Sequence, residues 1–392
     1  MEEGFQSADT VRRAVLTLYA QGDGHAQAND FLVAFAESDQ AWQTALQVIG
    51  EVQAAAQQGQ IDPGQVDQVA YFAANLLYNK VCKHWKRLPV ELRPTLGNTL
   101  LQILRAVAQQ QLHMGPVVVK TLCLSVVAVA LRTPNGPSAQ AGEALAIGAA
   151  GTAPAVDVSL QMLRQMPEEV DKVDISRQRR NEICAEMTGL LPSVLQFCGQ
   201  VLAGGGPGGL AETHSTAALE TIAEWVKMAG LSLSAFAMGS PESRASFEKM
   251  LQLLTGHDAA VAVAAAKALE AALIRHEEPS EGRTLAVNVL RDALLATRPL
   301  LEATAESFMA RGDVDQAQTT THALACLFVV FASRQLPQLI GVDSATPANV
   351  EFMELFMRLS GHPYRRIALL TQVRFGQFFV FKSQASACLT TN

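Results

Sequence analysis

The stretch Tyr71-Phe72-Ala73-Ala74-Asn75-Leu76-Leu77-Tyr78-Asn79-Lys80-Val81, closed by a break at Leu88-Pro89, decides the fold class. With Val66 and Val69 before them, Ala73, Leu76 and Leu77 recur at three- and four-residue intervals, the spacing that lines one side of an α-helix. Beyond the break, Leu92, Leu96, Leu100, Ile103, Leu104 and Val107 repeat the period. Two amphipathic helices joined by a turn form a hairpin, and one hairpin cannot bury both of its faces. Further hairpins must stack on it.

They are present on both sides. Upstream, Val11, Ala14, Val15 and Leu18 predict a helix from Asp9 to the Gly22-Asp23-Gly24 break; Ala28, Phe31, Leu32 and Phe35 predict a second. Trp42, Ala45, Leu46 and Ile49 predict a third, with Ser38 as its expected cap. Downstream, Pro116 opens a helix through Leu131 that Thr133-Pro134-Asn135-Gly136-Pro137 stops. Ile183, Met187, Leu190, Leu191, Val194, Cys198 and Val201 mark a long helix with Pro192 as a candidate kink, and Leu219, Ile222, Trp225, Val226 and Ala229 mark the next. Phe247, Met250, Leu251 and Leu254 precede an Ala-rich run, Ala259 to Leu273, whose small side chains would let helices approach closely. Two longer helices are expected over Gly282 to Met309 and Asp313 to Gln335, and a final pair near Val350 to Leu359 and Tyr364 to Phe379.

Hairpins of about 40 to 60 residues approach the HEAT period. The expected architecture is all-α, a HEAT-repeat superhelical solenoid made of a curved stack of antiparallel helix pairs. Periodicity alone also leaves open an irregular all-helical globule. Composition agrees with helices: hydrophobic residues are 49% of the chain but aromatics only 6%, a core of Ala, Leu and Val.

Several function classes lose ground. The longest apolar run, Thr121 to Leu131, is about half of the roughly 20 residues needed to cross a bilayer. The opening Met1-Glu2-Glu3 is acidic where a signal peptide is basic, so the expected location is the cytosol or nucleus. A net charge of −7 argues against phosphate-backbone binding and suits basic protein partners. Cys82, Cys123, Cys184, Cys198, Cys326 and Cys388 lack CxxC spacing and read as reduced, mostly core residues.

No enzyme motif survives its context. Gly204-Gly205-Gly206-Pro207-Gly208-Gly209 satisfies GxGxxG formally but follows a helix, where a dinucleotide site needs a strand, so it reads as an inter-helix loop. The histidines make no HExxH and no zinc-spaced set, and no GxSxG elbow is present. No catalytic residue, metal or cofactor is assigned.

Two basic clusters attract attention. Arg177, Arg179 and Arg180 open a predicted helix, where positive charge opposes the macrodipole. They read as a solvent-facing site for an acidic partner, as a solvated turn, or as partners of the acidic turn Pro167-Glu168-Glu169-Val170-Asp171. Lys80, Lys83, Lys86 and Arg87 surround Trp85. Basic residues around an aromatic can suggest RNA, but on a helix Trp85 is expected to pack inward while the lysines stay wet.

The helix beginning Tyr71-Phe72-Ala73-Ala74 resembles the second-repeat helix of importin-beta-type transport receptors. Gly115-Pro116-Val117-Val118-Val119-Lys120-Thr121-Leu122-Cys123-Leu124 is similar to the third-repeat helix of the transportin-SR and importin-thirteen branch. Leu160-Gln161-Met162-Leu163 with Met166-Pro167-Glu168-Glu169-Val170 resembles that branch's turn, and Arg179-Arg180-Asn181-Glu182-Ile183 its next helix. Glu354-Leu355-Phe356 and Ser360-Gly361-His362-Pro363 resemble a later helix and turn. The blocks are collinear from about residue 9 to about residue 380.

The resemblance implies a monomeric nuclear import receptor shuttling between cytoplasm and nucleus. Its implied partners are the small GTPase Ran in its GTP form, phenylalanine-glycine repeats of nucleoporins on the outer face, and protein cargo such as Arg/Ser-rich splicing factors, with no direct nucleic acid and no membrane. It further implies an importin N-terminal-like region over about residues 9–150, with more repeats to about residue 380. Asp39 to Glu51, Glu91 to Gln110 and Ser138 to Ala150 are expected as inner helices, with Gln47, Gln102 and Arg105 as Ran contacts. Glu168, Glu169, Arg179 and Arg180 complete the expected Ran or cargo face. Family members continue into a C-terminal cargo-binding arch, whereas the last residues here, Lys382 to Asn392, lose the apolar period and read as a truncation. A HEAT-type scaffold of a cytosolic regulatory complex is the alternative.

Overall fold

The computed structural model describes residues 7–20, 24–59, 61–204, 212–256, 258–275, 277–278, 280–311, 315–340, 346–363 and 365–372. They form helices and turns with no strand among them, in the all-α class that the periodicity requires. The tail from Lys382 and the Gly205–Gly209 run lie outside the described residues. In order the helices are α1 (Ala8–Tyr19), α2 (His25–Glu37), α3 (Ala41–Gln57), α4 (Val66–His84), α5 (Leu92–Ala108), α6 (Pro116–Leu131), α7 (Gly136–Gly148), α8 (Ala153–Val170) and α9 (Arg177–Leu202). They continue as α10 (Glu212–Ala229), α11 (Leu233–Met238), α12 (Pro241–Leu253), α13 (Ala259–Leu273), α14 (Glu281–Ala296), α15 (Arg298–Arg311), α16 (Asp315–Ile340) and α17 (Pro347–Ser360), and residues 365–372 are also helical.

Local chemistry sets the starts. Ser7, Ser232, Ser240, Asp258, Ser280 and Thr346 accept first-turn backbone N–H groups through their side chains. α6, α7, α8, α12 and α17 carry proline in the first turn, where a missing N–H costs nothing.

The chain divides into two compact units, one built from residues up to Leu190 and one from Leu191 onward. In the first, α3 pairs with α4, α5 with α6 and α7 with α8, and the second members α4, α6 and α8 pack directly on one another in succession. The middle helix α6 is therefore apolar nearly all round, with Val118, Leu122, Cys123, Val126, Val127, Ala128 and Leu131 in the core. In the second unit α10, α13 and α16 form the equivalent row, and α11, α14 and α17 another. α13 buries Ala262, Ala264, Ala265, Ala266, Ala268 and Ala272, the close approach expected of the Ala-rich run. Phe352 stacks on Phe328 at 5.2 Å and meets Phe331 edge-on at the same distance, a core for the last hairpins.

The repeat period is written in the hydrogen bonds. Lys80 donates to the Ser38 carbonyl 42 residues back, Arg132 to Cys82 across 50, Arg179 to Thr133 across 46, and Arg275 to Gly230 across 45. Each long cation reaches a carbonyl in the preceding hairpin, at or near a helix C-terminus, where backbone acceptors lack helical partners.

Several local expectations are corrected. Ser38 does not cap α3; its hydroxyl donates back to the Phe35 carbonyl at 2.8 Å and closes α2. Pro167 is no turn, because α8 continues through it to Val170 with the ring buried. The helix expected over Gly282 to Met309 is two helices, broken at Thr297, whose hydroxyl returns to the Leu294 carbonyl just before Arg298-Pro299. The six-residue α11 escaped the reading because it is too short to show a period. Lys80 is not solvated but 4% exposed, held by Ser38 and lying 5.5 Å from the Trp42 ring centroid, and burial pushes its pKa down.

Asn135 takes a left-handed φ of 54° between α6 and α7, and a Cβ at Gly136 would collide with the Ala130 carbonyl. Gly136→Ala is expected to destabilise by about 1–3 kcal/mol, the usual range for forced backbone shifts, read from a urea midpoint.

Burial holds the pKa of His362 below its ordinary value, against an opposing backbone hydrogen bond at Leu301. The unfolded chain then binds the proton first, so stability falls as pH drops through about 6.5. His362→Gln should flatten that dependence between about pH 6.5 and 5 in thermal melts, and an unchanged slope would assign it to other groups.

A cationic cleft as candidate functional site

The turns after α4, α6 and α8 converge on one cleft of about 440 Å³ in the first unit. Its walls carry Lys83, Lys86, Arg87, Arg132 and Arg179 against a single carboxylate, Asp174. Such a concentration of one sign is unusual in a chain of net charge −7.

Each turn is locked from below. After α4 the chain tightens into a 3-10 turn, Trp85–Arg87, closed by Leu88 N–H to the Trp85 carbonyl and anchored by Leu88 in the core. Arg93 donates to the Leu88 carbonyl at 3.2 Å and lays its guanidinium 5.2 Å from the Trp85 ring centroid. Trp85 is thus half-buried beneath an arginine instead of packing fully inward. Arg132 caps α6 by donating to Ala128 at 2.9 Å and also reaches the Cys82 carbonyl at 3.4 Å. Arg179 donates to Thr133 at 3.0 Å and pairs with Glu182 at 3.4 Å.

Below the cleft lies a polar cluster that the sequence did not announce. Glu169 is 1% exposed and accepts from the Tyr78 hydroxyl at 3.0 Å and from Lys172 at 2.8 Å. Burial, then the charges of Cys82 and Glu169, push the Tyr78 pKa up, so the phenol stays a donor. Burial also raises the Cys82 thiol above its ordinary range, which leaves it a poor nucleophile at neutral pH.

The expected site residues therefore part company. Glu169 is corrected from a partner-facing carboxylate to a core acceptor, since the helix through Pro167 turns it inward. Arg180 is corrected from a solvent-facing cation to a structural one: it donates to the Val170 and Val173 carbonyls at 3.3 and 3.2 Å, closing the C-terminal end of α8. Its misplacement at a helix N-terminus is compensated by acceptors at the end of the previous helix. Glu168 pairs with Arg164 one turn earlier at 3.1 Å, and among the described residues no ion pair joins the acidic and arginine clusters, which meet only through Arg180 and the Val170 carbonyl. Arg179 alone of the seven lines the cleft.

Gln47, Gln102 and Arg105 are exposed elsewhere, on α3 and α5. Gln47 donates to Glu51 at 2.9 Å, and Arg105 pairs with Glu143 of α7. The tightly packed row is α4, α6 and α8, while α3, α5 and α7 are splayed.

The cleft residues missed were Lys83, Lys86 and Arg87, visible as a patch but read as solvated, and Arg132, seen only as the end of an apolar run. No family model and no curated protein matches the chain. Among solved structures, a crystal structure of an engineered protein aligns over 94% of this chain and 98% of its own at 12% identity, with a TM-score of 0.34.

Arg180→Ala removes the side-chain donor from the Val170 carbonyl and from the Val173 carbonyl, which keeps its bond from the Ile175 N–H. It is expected to cost about 1–3 kcal/mol, with the wild-type secondary structure retained, measured by urea unfolding followed by circular dichroism.

Proposed function

We propose that this protein is a non-catalytic binding scaffold and, more specifically, a nuclear transport receptor of importin-beta type. In this reading its N-terminal repeats bind Ran in the GTP form, while other faces bind nucleoporin phenylalanine-glycine repeats and protein cargo. The observation that carries the reading is where the resembling blocks fall. Tyr71–Val81 lies in α4, Gly115–Leu124 opens α6, and Leu160–Val170 lies in α8, the three helices of the close-packed row. Arg179–Ile183 follows at the start of α9, Glu354–Phe356 lies in α17, and Ser360–Pro363 forms the turn after it. The first three blocks that resemble one family thus occupy, in order, successive equivalent positions of a repeat stack, as a repeat protein requires.

A carrier of this kind makes and breaks no bond; its work is selective binding. Selectivity for one nucleotide state then arises from differential contact with the two forms of the GTPase. The purified chain is expected to retain Ran loaded with a non-hydrolysable GTP analogue and to release Ran-GDP on washing. Retention of both forms alike, or of neither, in that pull-down would reject this function.

A further inference from the structure

The transport reading leaves the cationic cleft without a task. We propose that it binds an extended, acidic segment of a protein partner, laid across the three turns that form its walls. The proposal stands on the cleft itself and does not depend on Ran binding.

Three features point to that ligand. The first is unspent charge. Lys83, Lys86 and Arg87 make no ion pair among the described residues and are exposed, and the guanidinium of Arg132 is bonded to two carbonyls and the Cys82 thiol but to no carboxylate among the described residues. Because these bonds hold Arg132 in place, it meets an incoming carboxylate at little further entropic cost. The second is arrangement. The cations come from the ends of α4, α6 and α9 and from the turn after α4, so they form a row across successive repeats instead of a single point. A row of that kind matches carboxylates strung along a chain better than one small anion. The third is the aromatic. One face of Trp85 is taken by Arg93, which halves the stacking surface it could offer a single-stranded nucleic acid.

Asp174 is the only carboxylate among the described residues that line the cleft, so five cations face one acid there. The volume falls inside the roughly 300–1,000 Å³ span of ordinary ligand sites, room for a short stretch of chain and not for a folded surface.

The test measures fluorescence anisotropy of a labelled peptide of alternating glutamate and serine with the full chain. A glutamine-for-glutamate peptide and a labelled oligodeoxythymidine serve as comparisons. The acidic peptide is expected to bind, to weaken as salt rises from about 0.05 to about 0.5 M and the screening length shrinks, and to outcompete both comparisons. The combined variant Lys83→Glu, Lys86→Glu, Arg87→Glu should weaken it at least about tenfold, the loss expected from several exposed pairs together. Arg365→Glu with Arg366→Glu, in the other unit, should leave it unchanged. If the triple reversal lowers the unfolding temperature, the neutral Lys83→Gln, Lys86→Gln pair is read instead, with a smaller loss expected. Equal binding of the acidic and neutral peptides, equal binding by wild type and the cleft variants, or preference for the oligonucleotide would each overturn the proposal.

Discussion

The interaction on which the rest of this structure depends is a long side chain reaching one repeat back to a carbonyl that its own helix has left unpaired. A helix end exposes four acceptors, and a stack of hairpins gathers these ends along common edges where water is only partly available. Lys80, Arg132, Arg179 and Arg275 answer that demand at separations of 42, 50, 46 and 45 residues. Ser125 to Ala74 and Ser246 to Leu195, both at 51, add core hydroxyl bonds at the same interval, there to mid-helix carbonyls. Apolar stripes bring the hairpins together, but nothing in a stripe of Leu and Ala distinguishes one axial offset from the next. Directional donors at a fixed interval do.

This constraint also explains how a charged cleft arises in an acidic chain. Cations recruited to close helix ends accumulate where three such ends meet, and those with no carbonyl to serve project into the remaining space. Arg93, Arg132 and Arg179 are spent on backbone; Lys83, Lys86 and Arg87 are not. The neighbouring Glu169 shows the complementary rule, since a carboxylate this deep persists because Tyr78 and Lys172 both donate to it.

The helices were legible because the apolar period is a local property, present in any window of Val66 to Leu77 or Leu92 to Val107. The site was less so. Arg180 looked like a surface cation because its acceptors, Val170 and Val173, lie at the end of α8 and in the turn after it, and a linear reading cannot see carbonyls left over there. Glu169 looked exposed because Pro167 suggested a turn; tertiary packing on α6 kept α8 helical past the proline. Thr297 divided an expected long helix because a hydroxyl bond and a following proline act over one turn, below the resolution of a hydrophobic stripe.

The short reach of these bonds has a mechanical corollary. Where a tie spans one module, as these carbonyl bonds do, a load or a lesion is passed between adjacent modules and is diluted at each junction. A chain tied in this way yields by small adjustments at many seams, without any one seam having to break.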